Sequence, residues 1–92
     1  MDKTAMILRH KLSVGDHNVV WLSPNALLLS VGVKAGEDMI SLWTLWRIGE
    51  EQVRRRVFKV VVTGWHFDDT GAKYIGTAVA DGEYVWHVFE VT

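Results

Sequence analysis

Residues Tyr74 to Val91 read YIGTAVADGEYVWHVFEV, two runs of β-branched and aromatic residues separated by Asp81-Gly82. Both central residues of a type I′ turn must accept φ > 0, and Asp-Gly satisfies that requirement, so the stretch reads as a β-hairpin. A two-residue loop sets Ala80 opposite Glu83 and pairs Val79 with Tyr84, Thr77 with Trp86 and Ile75 with Val88. The other face carries Tyr74, Ala78, Val85, His87, Phe89 and Val91. Neither face is polar. The hairpin therefore expects cover on both sides, a second sheet on one and loops, a helix or a partner on the other. Gly76, in mid-strand, marks a bulge or a close approach of another part of the chain.

Working outward, the remainder repeats the same pattern. Ala5 to Ser13 alternates, with Met6, Leu8 and Leu12 opposed to Arg9, Lys11 and Ser13, and His10 among the apolar positions as a packed, hydrogen-bonded histidine. Gly15-Asp16 offers a turn into His17 to Leu22, where Val20 and Leu22 oppose Val19 and Trp21, so the first two strands are expected to form a hairpin. Pro24, the one proline, ends that strand because it has no N–H for a ladder. Asn25 to Lys34 alternates most cleanly, with Leu27, Leu29, Val31 and Val33 expected inward. After Ala35-Gly36-Glu37, Asp38 to Ile48 places Ile40, Leu42 and Trp46 opposite Met39, Ser41, Trp43, Leu45 and Arg47; the short turn favours a strand over the helical spacing of Leu42, Leu45 and Trp46. Gly49 to Arg56, GEEQVRRR, reads as a polar solvated loop. Val57 to Trp65 returns to strand with Phe58, Val60 and Val62 inward and Lys59, Val61 and Thr63 outward, and His66 to Lys73 has no periodicity.

About seven strands built from hairpins define an all-β chain, a small antiparallel β-sandwich or partly closed barrel. Its expected core is Leu8, Leu27, Leu29, Val31, Ile40, Leu42, Phe58, Val60, Val62, Ile75, Trp86 and Val88. Ninety-two residues, 49% of them hydrophobic, fit one domain spanning 1–92. The net charge of -1 leaves no global field drawing the chain to nucleic acid or an anionic membrane. The absence of cysteine excludes disulfides, thiolate nucleophiles and cysteine zinc sites, and fits a reducing compartment. No apolar run approaches the roughly 20 residues of a membrane span, so the expectation is a cytoplasmic protein with no membrane partner.

Chemistry-bearing patterns are sparse. His66-Phe67-Asp68-Asp69 with His87 has donor types for a metal-dependent enzyme, but the spacing is not diagnostic, and Asp in a loop serves backbone hydrogen bonds as readily. No GxSxG elbow and no phosphate-binding glycine loop is present, so neither an enzyme nor a cofactor is expected. Arg54 to Arg56 with an exposed tryptophan such as Trp43, Trp46 or Trp65 would suit a nucleic-acid-binding barrel, against which the net charge argues. Five tryptophans favour protein recognition, where Trp, Tyr and Arg supply most anchors. The expected partner-binding residues are Trp65 and Phe67, an aromatic pair in an irregular loop, with Arg54 and Arg55; a homo-oligomer is compatible with the same surface.

The segments ILRHKL (Ile7 to Leu12), LSPNALLLSVGVKAG (Leu22 to Gly36), SLWTLW (Ser41 to Trp46), FKVVVTGWH (Phe58 to His66), YIGTAVA (Tyr74 to Ala80) and VWHVFE (Val85 to Glu90) together resemble a family of small β-rich phage and prophage proteins. The closing YIGT and HVFE motifs are the most distinctive part. Gly64-Trp65-His66 departs from it, since the middle residue there is usually small. The resemblance implies a viral origin and the cytoplasm of a bacterial host, and it brings no catalytic residues. It points to an accessory protein that binds a host or phage protein, most naturally inhibiting a host component such as an anti-phage defence complex, in the anti-CRISPR manner.

Overall fold

The computed structural model describes residues 4–34, 39–49, 52–80 and 84–92. The described residues form seven strands and no helix: β1 Ala5–Leu12, β2 Gly15–Leu22, β3 Leu27–Val33, β4 Ile40–Arg47, β5 Arg54–Val62, β6 Ala72–Val79 and β7 Val85–Val91. They make a three-stranded sheet in the order β1-β4-β3 and a four-stranded sheet in the order β2-β5-β7-β6, all pairs antiparallel. The two sheets do not close on each other, so the architecture is a sandwich and not a barrel. No helix among the described residues is long and apolar enough to cross a membrane.

The core lies between the sheets. Leu12, Ile40 and Leu42 of the first meet Leu22, Phe58, Val60 and Val88 of the second, with Val20, Ala26, Ala78 and Trp86 closing the cluster. Six of the twelve expected core residues are buried here, Ile40, Leu42, Phe58, Val60, Trp86 and Val88, while Val31, Val62 and Ile75 pack against them partly exposed. Leu8 is half-buried. Leu27 and Leu29 are exposed, at 55% and 45%, against expectation. The cause is a register break between Leu28 and Ser30, which reverses the inward parity so that Leu28, Val31 and Val33 face the core.

The first two strands do not form a hairpin. β1 pairs with β4 and β2 with β5, so the chain turns a corner from one sheet to the other between them. Gly15, at φ 144, supplies a conformation other residues rarely adopt. Asn18 then replaces the missing ladder: its Oδ1 accepts from the Ser13 N–H at 2.9 Å and its Nδ2 donates to the Ser13 carbonyl at 2.8 Å. β3 and β4 do pair, as expected. Their turn, Ala35-Gly36-Glu37, lies outside the described residues, as do Glu50 and Glu51.

Arg54 to Arg56 are not in a loop. They open β5, opposite Leu22, Trp21 and Val20 of β2, because pairing with a waiting strand outweighs the polar character of the run.

The closing hairpin forms, one residue out of the expected register. Val79 pairs with Val85, Ala78 with Trp86, Thr77 with His87 and Gly76 with Val88, and the Ala80 N–H donates to the Tyr84 carbonyl at 3.0 Å. Three residues, Asp81 to Glu83, thus separate the paired ends instead of two; they lie outside the described residues. A bulge between Tyr74 and Gly76 absorbs the extra residue, after which Tyr74 meets Phe89 and Lys73 meets Glu90. Ala78, assigned to the outer face by a two-residue loop, is consequently in the core beside Trp86, while Thr77 faces outward with His87. Gly76 combines both expected roles: it follows the bulge, and a Cβ there would lie 2.7 Å from Val31 Cγ2 across the sandwich.

His10 is half-buried on the inward parity of β1, with Nε2 2.9 Å from the hydroxyl of buried Thr44. Burial lowers its pKa from 6.5 because the charged ring is poorly solvated there. The unfolded chain therefore takes up a proton that the folded chain resists, and stability falls as pH drops through 6.5. The urea midpoint is expected to be lower at pH 5.5 than at pH 7.5. A His10→Gln variant, which still reaches the Thr44 hydroxyl but does not titrate, should show a smaller difference between the two.

Candidate functional surface

The order β2-β5-β7-β6 places β7 between β5 and β6, so the connection from Thr63 to Gly71 has to cross β7. It crosses on the outer face. This explains a pattern alternation alone does not: Lys59 and Val61 point outward from β5, yet they are only 9% and 5% exposed. The Lys59 ammonium donates to the Asp68 carbonyl at 2.6 Å and lies 5.8 Å from the centre of the Phe67 ring, fastening the crossing chain at mid-sheet. Phe67 packs on Phe89 of β7 with ring centres 5.2 Å apart, and Tyr74 of β6 meets the same ring edge-on at 5.8 Å. Asp68 Oδ1 accepts from the Thr70 N–H, and bonding to Thr70, through its side chain first and then its backbone, holds the carboxyl below its ordinary pKa.

Trp65 stands at the turn where the crossing begins, its N–H bonded to the Val62 carbonyl and its side chain 58% exposed. Further along the crossing Phe67, Phe89 and Tyr74 form one aromatic cluster, and Phe67 remains 40% exposed. Beyond the cluster, outward positions of β5, β7 and β2 carry Val57, Val91 and Val19, and the face ends on Trp21 paired with Arg55. Trp21 is 60% exposed, and Arg55 Nη2 donates to His17 Nε2 at 2.9 Å.

The expected partner-binding residues are thus only partly gathered. Phe67 and Arg55 belong to one face, with Arg55 at its far end, about 13 Å along the strand from Lys59 at 3.3 Å per residue, and Trp65 stands exposed where the crossing begins. Arg54 has the opposite parity, opposite buried Leu22. Arg56 is turned inward and held by Glu90. Sequence reasoning did not single out Tyr74 and Phe89 as members of this surface. The available signal was the apolar character of both faces of the closing hairpin, which called for a second layer of cover.

The proposed histidine and carboxylate constellation is not assembled. His87 Nε2 lies 2.7 Å from the Thr63 hydroxyl and Nδ1 3.1 Å from that of Thr77. The Thr63 hydroxyl also lies 3.3 Å from the Val85 carbonyl. The Thr77 hydroxyl in turn lies 2.6 Å from that of Tyr74. Both imidazole nitrogens are occupied within this chain of hydrogen bonds. Among the described residues no three His, Cys, Asp or Glu side chains come close enough to hold a metal ion.

Fold and surface together define a small two-sheet β-sandwich carrying an exposed aromatic face on its larger sheet. The chain belongs to the family described as "Domain of unknown function (DUF7352)", which matches residues 3–92. Comparison with curated proteins and with solved structures gave no significant match.

Proposed function

We propose that this chain is a small viral accessory protein that acts by binding another protein, and that its target is a component of the bacterial host such as an anti-phage defence complex. The observation that carries the binding reading is the outer face of the four-stranded sheet, where Phe67, Tyr74 and Trp21 are each at least 40% exposed, with Trp65 at 58% where the crossing chain begins. Exposed aromatic surface of this kind is the ordinary mark of a protein interface, and Lys59 holds its central loop in place before any partner arrives. The viral and host setting rests on the motif resemblance, above all YIGT at Tyr74 to Thr77 and HVFE at His87 to Glu90.

The test is capture of host proteins by the purified chain, followed by titration of whichever one is retained. Trp65→Ala is expected to weaken that binding by about 2–4 kcal/mol, the size of an aromatic hot spot, with Phe67→Ala comparable. Trp65 is exposed, so its variant should keep the unfolding midpoint of the parent. Unchanged affinity in both variants would place the interface elsewhere. Turnover of nucleotide or nucleic acid that disappears in His66→Ala would replace binding with catalysis.

A nucleic-acid reading has one observation in its favour. Arg54 and Arg55 line a cleft of about 320 Å³ with Pro24, Glu90 and Thr92, and Trp21 stands beside Arg55 as a stacking platform. With Arg56 neutralised by Glu90, two arginines remain to meet phosphate. Retention of labelled single-stranded DNA or RNA, falling steeply with salt and lost in an Arg54→Ala, Arg55→Ala double variant, would favour it.

A further inference from the structure

Four strands lie at sheet edges, β1 and β3 in the smaller sheet and β2 and β6 in the larger. Three of them break register against their inner neighbour, β2 between Gly15 and Asn18, β3 between Leu28 and Ser30, and β6 between Tyr74 and Gly76. Such breaks bend an edge and spoil it as a template for another strand. β1 has none. Its ladder with β4 runs unbroken from Ala5↔Arg47 to Leu12↔Ile40, it contains neither Gly nor Pro, and its first half carries Met6 at 43% and Ile7 at 62% exposure. Among the described residues no strand pairs with its outer side.

We propose that β1 is a self-association edge, where two copies of this chain pair β1 with β1 antiparallel about a two-fold axis and join their three-stranded sheets into one six-stranded sheet. The Thr4 carbonyl accepts from the Ile48 N–H, so the even-numbered residues of this strand bond toward β4. Antiparallel alternation then turns the N–H and C=O groups of Ala5, Ile7, Arg9 and Lys11 away from β4. A two-fold axis that keeps each sheet face on its own side pairs odd residues with odd. Centring it on Leu8 sets Ile7 opposite Arg9 and Ala5 opposite Lys11 of the second copy, each twice, for roughly eight main-chain hydrogen bonds. Moving the centre to Arg9 loses a pair and places arginine against arginine; moving it to Ile7 also loses a pair. With the axis at Leu8, this leucine meets its own copy and Met6 meets His10, both on the inward parity of the strand.

The occupant is a second copy because this strand is complementary to itself in one register. Its charged residues, Arg9 and Lys11, both fall opposite uncharged ones there. The contact is narrow, so dimers should dissociate on dilution. The outer face of the four-stranded sheet stays uncovered, so a dimer presents the proposed binding face twice; neither inference depends on the other.

Sedimentation equilibrium from about 1 µM to 1 mM tests the association. The wild-type mass is expected to climb from 10.5 kDa toward twice that value. Ile7→Pro removes an N–H that points away from β4 and blocks the edge with its ring, so it should remain monomeric across the range with an unchanged β spectrum. Leu8→Cys, in a chain without cysteine, should oxidise to a covalent dimer, whereas exposed Leu27→Cys should not. A wild-type chain that is monomeric throughout overturns the proposal and leaves the edge to a strand of a different protein. A dimer that survives Ile7→Pro, or equal cross-linking at positions 8 and 27, overturns it as well. If Ile7→Pro fails to fold, the two cysteine variants still decide.

Discussion

Glu90→Gln is expected to lower the free energy of unfolding by about 3 kcal/mol, read as a fall in the urea midpoint. Arg56 reaches across from β5 to β7 and grips the Glu90 carboxylate with two hydrogen bonds, Nε to Oε2 at 2.6 Å and Nη2 to Oε1 at 2.8 Å. A third bond, Nη1 to the Ala26 carbonyl at 3.2 Å, ties both strands to the connection between β2 and β3. The side chains are 14% and 15% exposed, so water offers little compensation once the pair is broken. Glutamine keeps the shape but removes the charge, stranding a guanidinium that has already lost its hydration. The penalty belongs to the unpaired cation, not to the pair as such, and an Arg56→Met, Glu90→Leu double variant should recover most of the loss. A cost below about 1 kcal/mol for Glu90→Gln would mean that solvent reaches the pair and screens it.

Gly76→Ala is expected to cost about 1–3 kcal/mol, and Val31→Ala to cancel most of that cost when the two are combined. The added methyl would sit 2.7 Å from Val31 Cγ2, a separation that packed carbon atoms do not tolerate. Relief requires Val31 to leave its rotamer or the two sheets to separate where β3 lies over β6. Val31 is β-branched and already packed against the core, so rotation is restricted. A double-mutant cycle on denaturant midpoints should therefore give a coupling comparable to the single Gly76→Ala cost. Additive effects would show that the sheets slide apart without strain at this point.

Both sites illustrate how far local pattern reaches. The alternation of β4 and β5 puts Ile40, Leu42, Phe58 and Val60 on the inner parity, and all four are in the core. The same rule fails at Leu27 and Leu29, where a single bulged residue inverts the parity of everything before it, and no residue type in that stretch announces the bulge. The closing hairpin shows the complementary case. Asp81-Gly82 indicates where the chain reverses, but the Ala80 to Tyr84 hydrogen bond sets the register one residue away from that of a two-residue loop. Gly76 was legible as a special position because a glycine between β-branched and aromatic neighbours has few other uses; Val31 as the reason for it was not.

The aromatic surface divides in the same way. That Trp65 and Phe67 were unusual could be read from an aromatic pair in a stretch without period. The union of Phe67 with Phe89, Tyr74 and Lys59 follows from strand order, since only a sheet with β7 between β5 and β6 makes the connection cross the outer face. Strand order is also what separates Arg56 from its neighbours and turns a basic run into one inward ion pair and two exposed side chains.

Sequence by itself determined the number and kind of elements and the inward parity of Ile40 and Leu42 in β4 and of Phe58 and Val60 in β5, because these depend on φ/ψ preference and on a two-residue period that a few neighbouring side chains report. Tertiary structure alone decided which strands pair, since β1 and β2 have every local feature of a hairpin and yet belong to different sheets. The same holds for the bulges, the Arg56–Glu90 pair and the aromatic face. Each depends on residues brought together from distant parts of the chain, and partner choice in a sheet is settled by how much apolar surface the whole assembly buries, a quantity that no single segment contains.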